Sequence, residues 1–211
     1  LEAGDSQDAL VVLGEIAKSN GNEDLMWSYY ERYVRCNSKD TDYISKVADN
    51  YEAKGDKKNA RIFYQRTLNR LFYAPDNVKT REVFKSLLDN GTSDYSFYST
   101  YISKLGLTPL ASELSKMLLS YLMDMKNSFT SETAPSSVRK TLENIIDVSK
   151  NILVIDKDDV ETKELLSSIL KEKYGSSSRY DEVSRKYDVL KSSDPVKALE
   201  EFEKNIAYSK N

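Results

Sequence analysis

Residues 47–68 read VADNYEAKGDKKNARIFYQRTL, and this stretch decides the fold. Ala48 is small, so a second helix can approach closely, and Tyr51 fills the space one turn on. Gly55 offers the positive φ that ends a helix without steric penalty. Asp56 follows as an N-cap whose carboxylate takes a backbone N–H of the next helix. Ala60, Tyr64, Thr67 and Leu68 then fall at i, i+4, i+7 and i+8, one face of a helix. The expected unit is a helix, a tight turn and a second helix packed back on the first.

Residues 13–34, LGEIAKSNGNEDLMWSYYERYV, state the same pattern again. Gly21 precedes Gly55 by 34 residues, and Gly14 and Ala48, Met26 and Ala60, Tyr30 and Tyr64, and Arg32 and Arg66 keep that spacing. The equivalent packing face is Met26, Tyr30, Tyr33 and Val34. A period of 34 carried by glycine, aromatic and arginine positions resembles the tetratricopeptide repeat (TPR). The resemblance is clearest over residues 7–72 and 179–195 and is degenerate between them. It implies an all-α, TPR-like right-handed solenoid of helical hairpins with a concave surface, and a general role in protein–protein interaction.

Composition agrees with an all-α class. Seven glycines and four prolines among 211 residues suit long helices and short loops, and strand-like alternation is scarce. The net charge is −3, and the 31% of charged residues mix both signs along the chain. That describes solvated helix surface without the basic stripe of nucleic-acid binders, so no nucleic-acid partner is expected. Histidine is absent, which removes histidine bases, Ser–His and Cys–His pairs and the commonest transition-metal ligand. Cys36 is the single cysteine, so neither an intrachain disulfide nor a thiolate zinc site can form, and the thiol is expected to be buried or half-buried. No Gly-rich phosphate loop occurs, and no metal, cofactor or catalytic residue is assigned. No apolar run reaches the roughly 18 residues of a membrane span, so direct membrane insertion is not expected. The chain opens at Leu1 without a signal-peptide pattern. It is expected to be a soluble fragment or mature form, cytoplasmic or tethered at an envelope through an N-terminal signal or anchor.

About eleven helices are expected. Asp5 or Ser6 caps the first, over residues 7–18; the next run over 23–35 (ending near 37–38), 41–54 and 57–72. The break at Ala74-Pro75-Asp76-Asn77 comes about one helical turn later than the family spacing, so the fourth helix should be elongated. Helices over 78–89 and 95–105 read as a degenerate third repeat. Pro109, capped by Thr108, opens a helix to residue 127 that is the most apolar stretch of the chain. Residues 128–137, SFTSETAPSS, read as a flexible loop or hinge between a subarray over 1–127 and C-terminal hairpins over 138–211. Beyond it come a long helix over 138–155, a hairpin of 161–174 with 179–191, and a capping helix over 196–208.

The resemblance implies that the first helix of each hairpin lines the groove. By position that face presents Val11, Glu15 and Lys18, then Asp42, Ser45, Asp49 and Glu52, and it is mostly acidic. One TPR subset grips a C-terminal carboxylate with a Lys and Asn clamp. The matching positions here hold Val11, Glu15 and Lys46, so that ligand is not expected. A basic or amphipathic segment of another protein fits the charge. A second surface is MLLSYLMDM, residues 117–125, where Met117, Tyr121 and Met125 either pack beneath the 138–155 helix or dock a partner helix. A tyrosine-lined groove around Tyr95, Tyr98 and Tyr101 is weighed against simple helix packing. The reading is a non-enzymatic scaffold or adaptor. Two alternatives stay open: an all-helical carboxylate enzyme acting on polysaccharide, with pairs such as Glu15 and Asp49, and a structural subunit that assembles with copies of itself.

Overall fold

A computed structural model describes residues 6–36, 39–91 and 94–207. Asp5, residues 37–38 and Tyr208, all expected at helix ends, lie outside them. Among the described residues the chain forms eleven α-helices and no strand. It divides into two compact units, Leu1–Ser93 and Asp94–Asn211.

The first unit holds α1 (Gln7–Ser19), α2 (Glu23–Arg35), α3 (Thr41–Ala53), α4 (Lys57–Leu71) and α5 (Asn77–Asp89). Its odd-numbered helices begin with one device. Ser6, Asp40 and Asp76 stand just ahead of them, and each side chain accepts a backbone N–H: from Ala9 at 3.1 Å, from Asp42 at 3.0 Å and from Lys79 at 3.0 Å. A cap of this kind is worth about 1 kcal/mol. Gly21 and Gly55 end α1 and α3 at φ values of 72° and 75°. The following N–H groups, of Asn22 and Asp56, reach back to the carbonyls of Ala17 and Tyr51, both at 2.9 Å. Those two side chains then cap α2 and α4 through the N–H groups of Leu25 and Asn59. The caps at Ser6 and Asp40 keep the 34-residue step, whereas Asp76 comes 36 residues after Asp40. The difference is in α4, which has 15 residues where α2 has 13.

Packing follows the predicted faces. α1 pairs with α2, α3 with α4, and α2 and α4 in turn meet α3 and α5. Met26, Tyr30 and Val34 are buried, as are Ala60, Tyr64, Thr67 and Leu68. Tyr33 is half-buried and stands edge-on to Tyr43 of α3, with ring centroids 5.2 Å apart. Gly14 is needed at its place because the Tyr30 ring occupies the space a Cβ would take. Burying each large apolar side chain contributes roughly 1.5–3 kcal/mol.

The second unit holds α6 (Tyr95–Lys104), α7 (Pro109–Asn127), α8 (Pro135–Ile155), α9 (Val160–Tyr174), α10 (Tyr180–Leu190) and α11 (Pro195–Ala207). α7 lies on α8, α8 on α9, and α10 on α11, which returns to α8. Three expectations change. The long helix starts at Pro135, three residues early, because a proline at the first helical position gives up an N–H that has no partner there anyway. Residues 128–134 therefore form a short connection between two helices that pack together, ordered by Thr130 N–H on Thr133 Oγ1 at 3.0 Å. The expected hairpin of α9 with α10 gives way to α10 with α11. The narrow apolar stripe of α10, Val183 and Tyr187, is spent on Phe202 of α11, whose ring lies 5.8 Å from that of Tyr187. Cys36 is exposed, not buried, because it is the C-cap of α2 and follows the last buried residue, Val34.

Candidate partner-binding groove

The groove lies in the first unit. Along α3, Asp42, Ser45, Asp49 and Glu52 follow one another at three- and four-residue steps, which places them on a single stripe. On α5, Lys79, Glu82 and Ser86 do the same. Between these stripes runs an open cleft of about 470 Å³, walled by Asp42, Ser45 and Asp49 on one side and Lys79, Glu82 and Ser86 on the other, and floored by Tyr64 of α4. Four carboxylates line it, those of Asp42, Asp49, Asp76 and Glu82, against the single ammonium of Lys79.

That ammonium is engaged with the Asp42 carboxylate, and it holds the Asp42 carboxyl below the usual carboxylate range. Asp76 is engaged as the cap of α5. The floor is different. The Tyr64 hydroxyl lies 2.6 Å from Asp49 Oδ1 and 2.5 Å from Glu52 Oε2. A phenol has one proton, so it donates to one of these carboxylates at a time. Burial, together with Asp49 and Glu52, pushes the phenol far above the usual tyrosine range, so that proton stays in place. Glu52 also accepts from Asn90 Nδ2 at 2.8 Å through its other oxygen. Asp49 in the wall of the cleft and Glu52 beside it thus form an exposed acidic pair that shares one phenol proton.

The equivalent place in the first hairpin is satisfied. Glu15 stands 34 residues before Asp49 and accepts from Tyr30 at 2.5 Å. Its oxygen also lies 3.4 Å from the Tyr43 hydroxyl of α3. The Tyr30 hydrogen bond, with Lys18, Tyr43 and Lys46 nearby, holds Glu15 below the usual range. The same contact and burial push the Tyr30 phenol far up. Of the residues the sequence suggests, Asp42, Ser45 and Asp49 therefore share the cleft. Glu52 adjoins it through Tyr64, whereas Glu15 and exposed Lys18 lie outside its lining on α1.

Met117, Tyr121 and Met125 belong to the second unit and are half-buried on α7. Leu114, Leu118 and Leu122 of the same helix are buried, and Thr141 of α8 directs its hydroxyl at the Met125 sulfur, 3.8 Å away. That contact places Met125 against α8. Tyr98 and Tyr101 are buried, so the tyrosines of α6 serve packing too. Among the described residues, no group of three acidic, histidine or cysteine side chains is arranged to hold a metal ion. Among them, no helix is long and apolar enough to cross a membrane.

No family model matches the chain. It is similar to the "Putative GreA-associated domains protein" of Treponema pallidum (strain Nichols). The two are 28% identical over 209 residues, 99% of this chain. The chain spans 30% of the length of that relative.

Sequence reasoning missed Tyr64, Lys79 and Glu82 as groove residues. The tyrosine had a visible signal: Glu15 and Tyr30 recur as Asp49 and Tyr64, so an acid 15 residues before a tyrosine is carried by the repeat. Lys79 had none, since its partner Asp42 lies 37 residues away across two helices.

Proposed function

We propose that this chain is a TPR-like, non-enzymatic interaction module that holds a basic or amphipathic segment of a partner protein in the α3–α5 groove. The observation that carries the reading is the exposed pair of Asp49, in the cleft wall, and Glu52, beside it, sharing the one proton of Tyr64. A lysine or arginine side chain entering from the partner donates to these carboxylates in place of water, and charge-assisted hydrogen bonds are about twice as strong as neutral ones. The groove's excess of carboxylates also draws a cationic segment in and disfavours an acidic one. The relative's name associates its domains with GreA, which accords with a protein partner and makes GreA the first defined ligand to test.

The test is a binding titration of the chain against purified GreA and against a lysine-rich peptide, with Asp49→Lys/Glu52→Lys as the parallel variant. Binding by the wild type that the variant loses supports the groove. Equal binding by both moves the site to the face of α7 around Met117–Met125.

A further inference from the structure

Arg32 and Arg66 keep the 34-residue spacing of the repeat, and the acidic groove uses neither. They stand on the even-numbered helices, near a second cleft of the first unit. This one opens between α2 and α3, measures about 370 Å³ and shares no lining residue with the groove. Trp27 of α2 and Tyr51 of α3, both half-buried, give it aromatic walls. Arg32, Arg35 and Lys54 line it against two carboxylates, those of Asp24 and Glu31.

Both carboxylates are already engaged. Glu31 accepts from Arg35 Nε at 2.8 Å and from Nη2 at 2.6 Å, and the Tyr51 hydroxyl bonds into the same pair. Asp24 lies in the first turn of α2, where the helix dipole favours a negative charge. Arg35 reaches on from the cleft to α4: its guanidinium carbon lies 5.6 Å from the centre of the Phe63 ring. One turn beyond Phe63 on α4 stands Arg66, half-buried. Among the described residues no hydrogen bond or ion pair engages its guanidinium. Burial, and then the like charges of Arg70 and Arg35, lower its pKa. Helix dipoles account for Arg32, Arg35 and Arg70, which lie in the last turns of α2 and α4. They do not account for Arg66, which comes a turn earlier. A half-buried guanidinium beside like charges is destabilising until a carboxylate approaches it.

We propose that this face, the α2–α3 cleft with Arg66 beside it, docks an acidic segment of a partner protein that carries an aromatic residue. The ring enters the cleft against Trp27 and Tyr51, and the carboxylates flanking it meet Lys54, Arg35 and Arg66. Both elements are needed, because exposed ion pairs alone are worth about 0–1 kcal/mol each. A polyphosphate strand fits less well: Asp24 and Glu31 interrupt the cations, and the whole chain carries a net charge of −3. The surface is independent of the acidic groove, and its ligand has the opposite charge.

Trp27 is the only tryptophan and lines this cleft, so its emission reads occupancy. The probe is an end-blocked Glu-Glu-Phe-Glu-Glu peptide added to the full chain, with Glu-Glu-Ala-Glu-Glu and a single-stranded oligonucleotide as comparisons. The variants are Lys54→Glu/Arg66→Glu and Asp49→Lys/Glu52→Lys, with folding checked by circular dichroism. Lys54→Glu alone, at an exposed position, serves if the double variant does not fold. The proposal predicts a saturable response to the phenylalanine peptide, about tenfold weaker in Lys54→Glu/Arg66→Glu and not weakened in Asp49→Lys/Glu52→Lys. It predicts no measurable binding of the alanine peptide. No response to the phenylalanine peptide, equal binding by Lys54→Glu/Arg66→Glu, or tighter binding of the oligonucleotide overturns it. So does an alanine peptide that binds as well as the phenylalanine one, which would leave the ring without a place in the cleft.

Discussion

Replacing Tyr64 with phenylalanine removes one oxygen and tests the donor-sharing arrangement directly. The ring is 1% exposed and keeps its packing, so no cavity term arises. What disappears is the only proton held between Asp49 and Glu52, which lie 2.6 and 2.5 Å from the hydroxyl. A hydrogen bond to a charged group contributes about 1.5–3 kcal/mol, and the exposed carboxylates recover part of that from water, so a net loss of about 2 kcal/mol is expected. Trp27 is the only tryptophan and lies on α2, so its emission follows the first unit through a urea titration. With a slope of roughly 1–2 kcal/mol per molar urea for a unit of this size, the midpoint should fall by about 1–2 M. Adding Asp49→Asn to Tyr64→Phe should restore part of the loss, because the two carboxylates no longer repel. The coupling should exceed about 0.5 kcal/mol. A Tyr64→Phe midpoint equal to that of the wild type refutes the reasoning, as does strict additivity in the double variant.

Three further outcomes are expected. Ala60→Asp places an unpaired charge at a helix contact that is fully buried, costs about 3 kcal/mol or more, and should abolish the cooperative Trp27 transition. Gly14→Ala gains roughly 0.5–1 kcal/mol of helix propensity, but the new methyl overlaps the Tyr30 ring. Overpacking costs about 1–3 kcal/mol, so the net effect should be a lower melting temperature. Tyr30 and Tyr64 have phenols raised above their unfolded value, so their stabilisation is complete below about pH 10 and is lost as pH rises through the folded values. The unfolding free energy from urea titrations should hold up to about pH 10 and then fall, by up to about 1.4 kcal/mol per pH unit for each phenol, a slope that Tyr30→Phe/Tyr64→Phe reduces.

The first unit was legible because its information is local. Glycine turns, Asx caps and i, i+4 faces act within a few residues, so the bounds of α1–α5 and the packing faces of α2 and α4 follow closely from the sequence. Two kinds of feature escaped. Partner choice among helices of the second unit is non-local: nothing near residues 179–191 says that Tyr187 meets Phe202 instead of completing a hairpin with α9. The electrostatic state of a site is likewise invisible. Glu15 and Asp49 look equivalent in the sequence, yet Tyr43 adds a second hydroxyl beside Glu15, while Glu52 competes with Asp49 for the one on Tyr64. Composition also misled at Cys36, where helix position overrides the general tendency of thiols to be buried.

The most direct test of the central claim is the affinity of a labelled lysine-rich peptide as a function of salt, for the wild type and for Asp49→Lys/Glu52→Lys. Screening shortens from about 10 Å at 0.1 M to about 3 Å at 1 M, so an acidic groove must lose affinity steeply across that range. The account predicts this loss in the wild type, no measurable binding in the variant, and no binding of an acidic control peptide. An affinity that stays flat with salt, or survives in the variant, would contradict it.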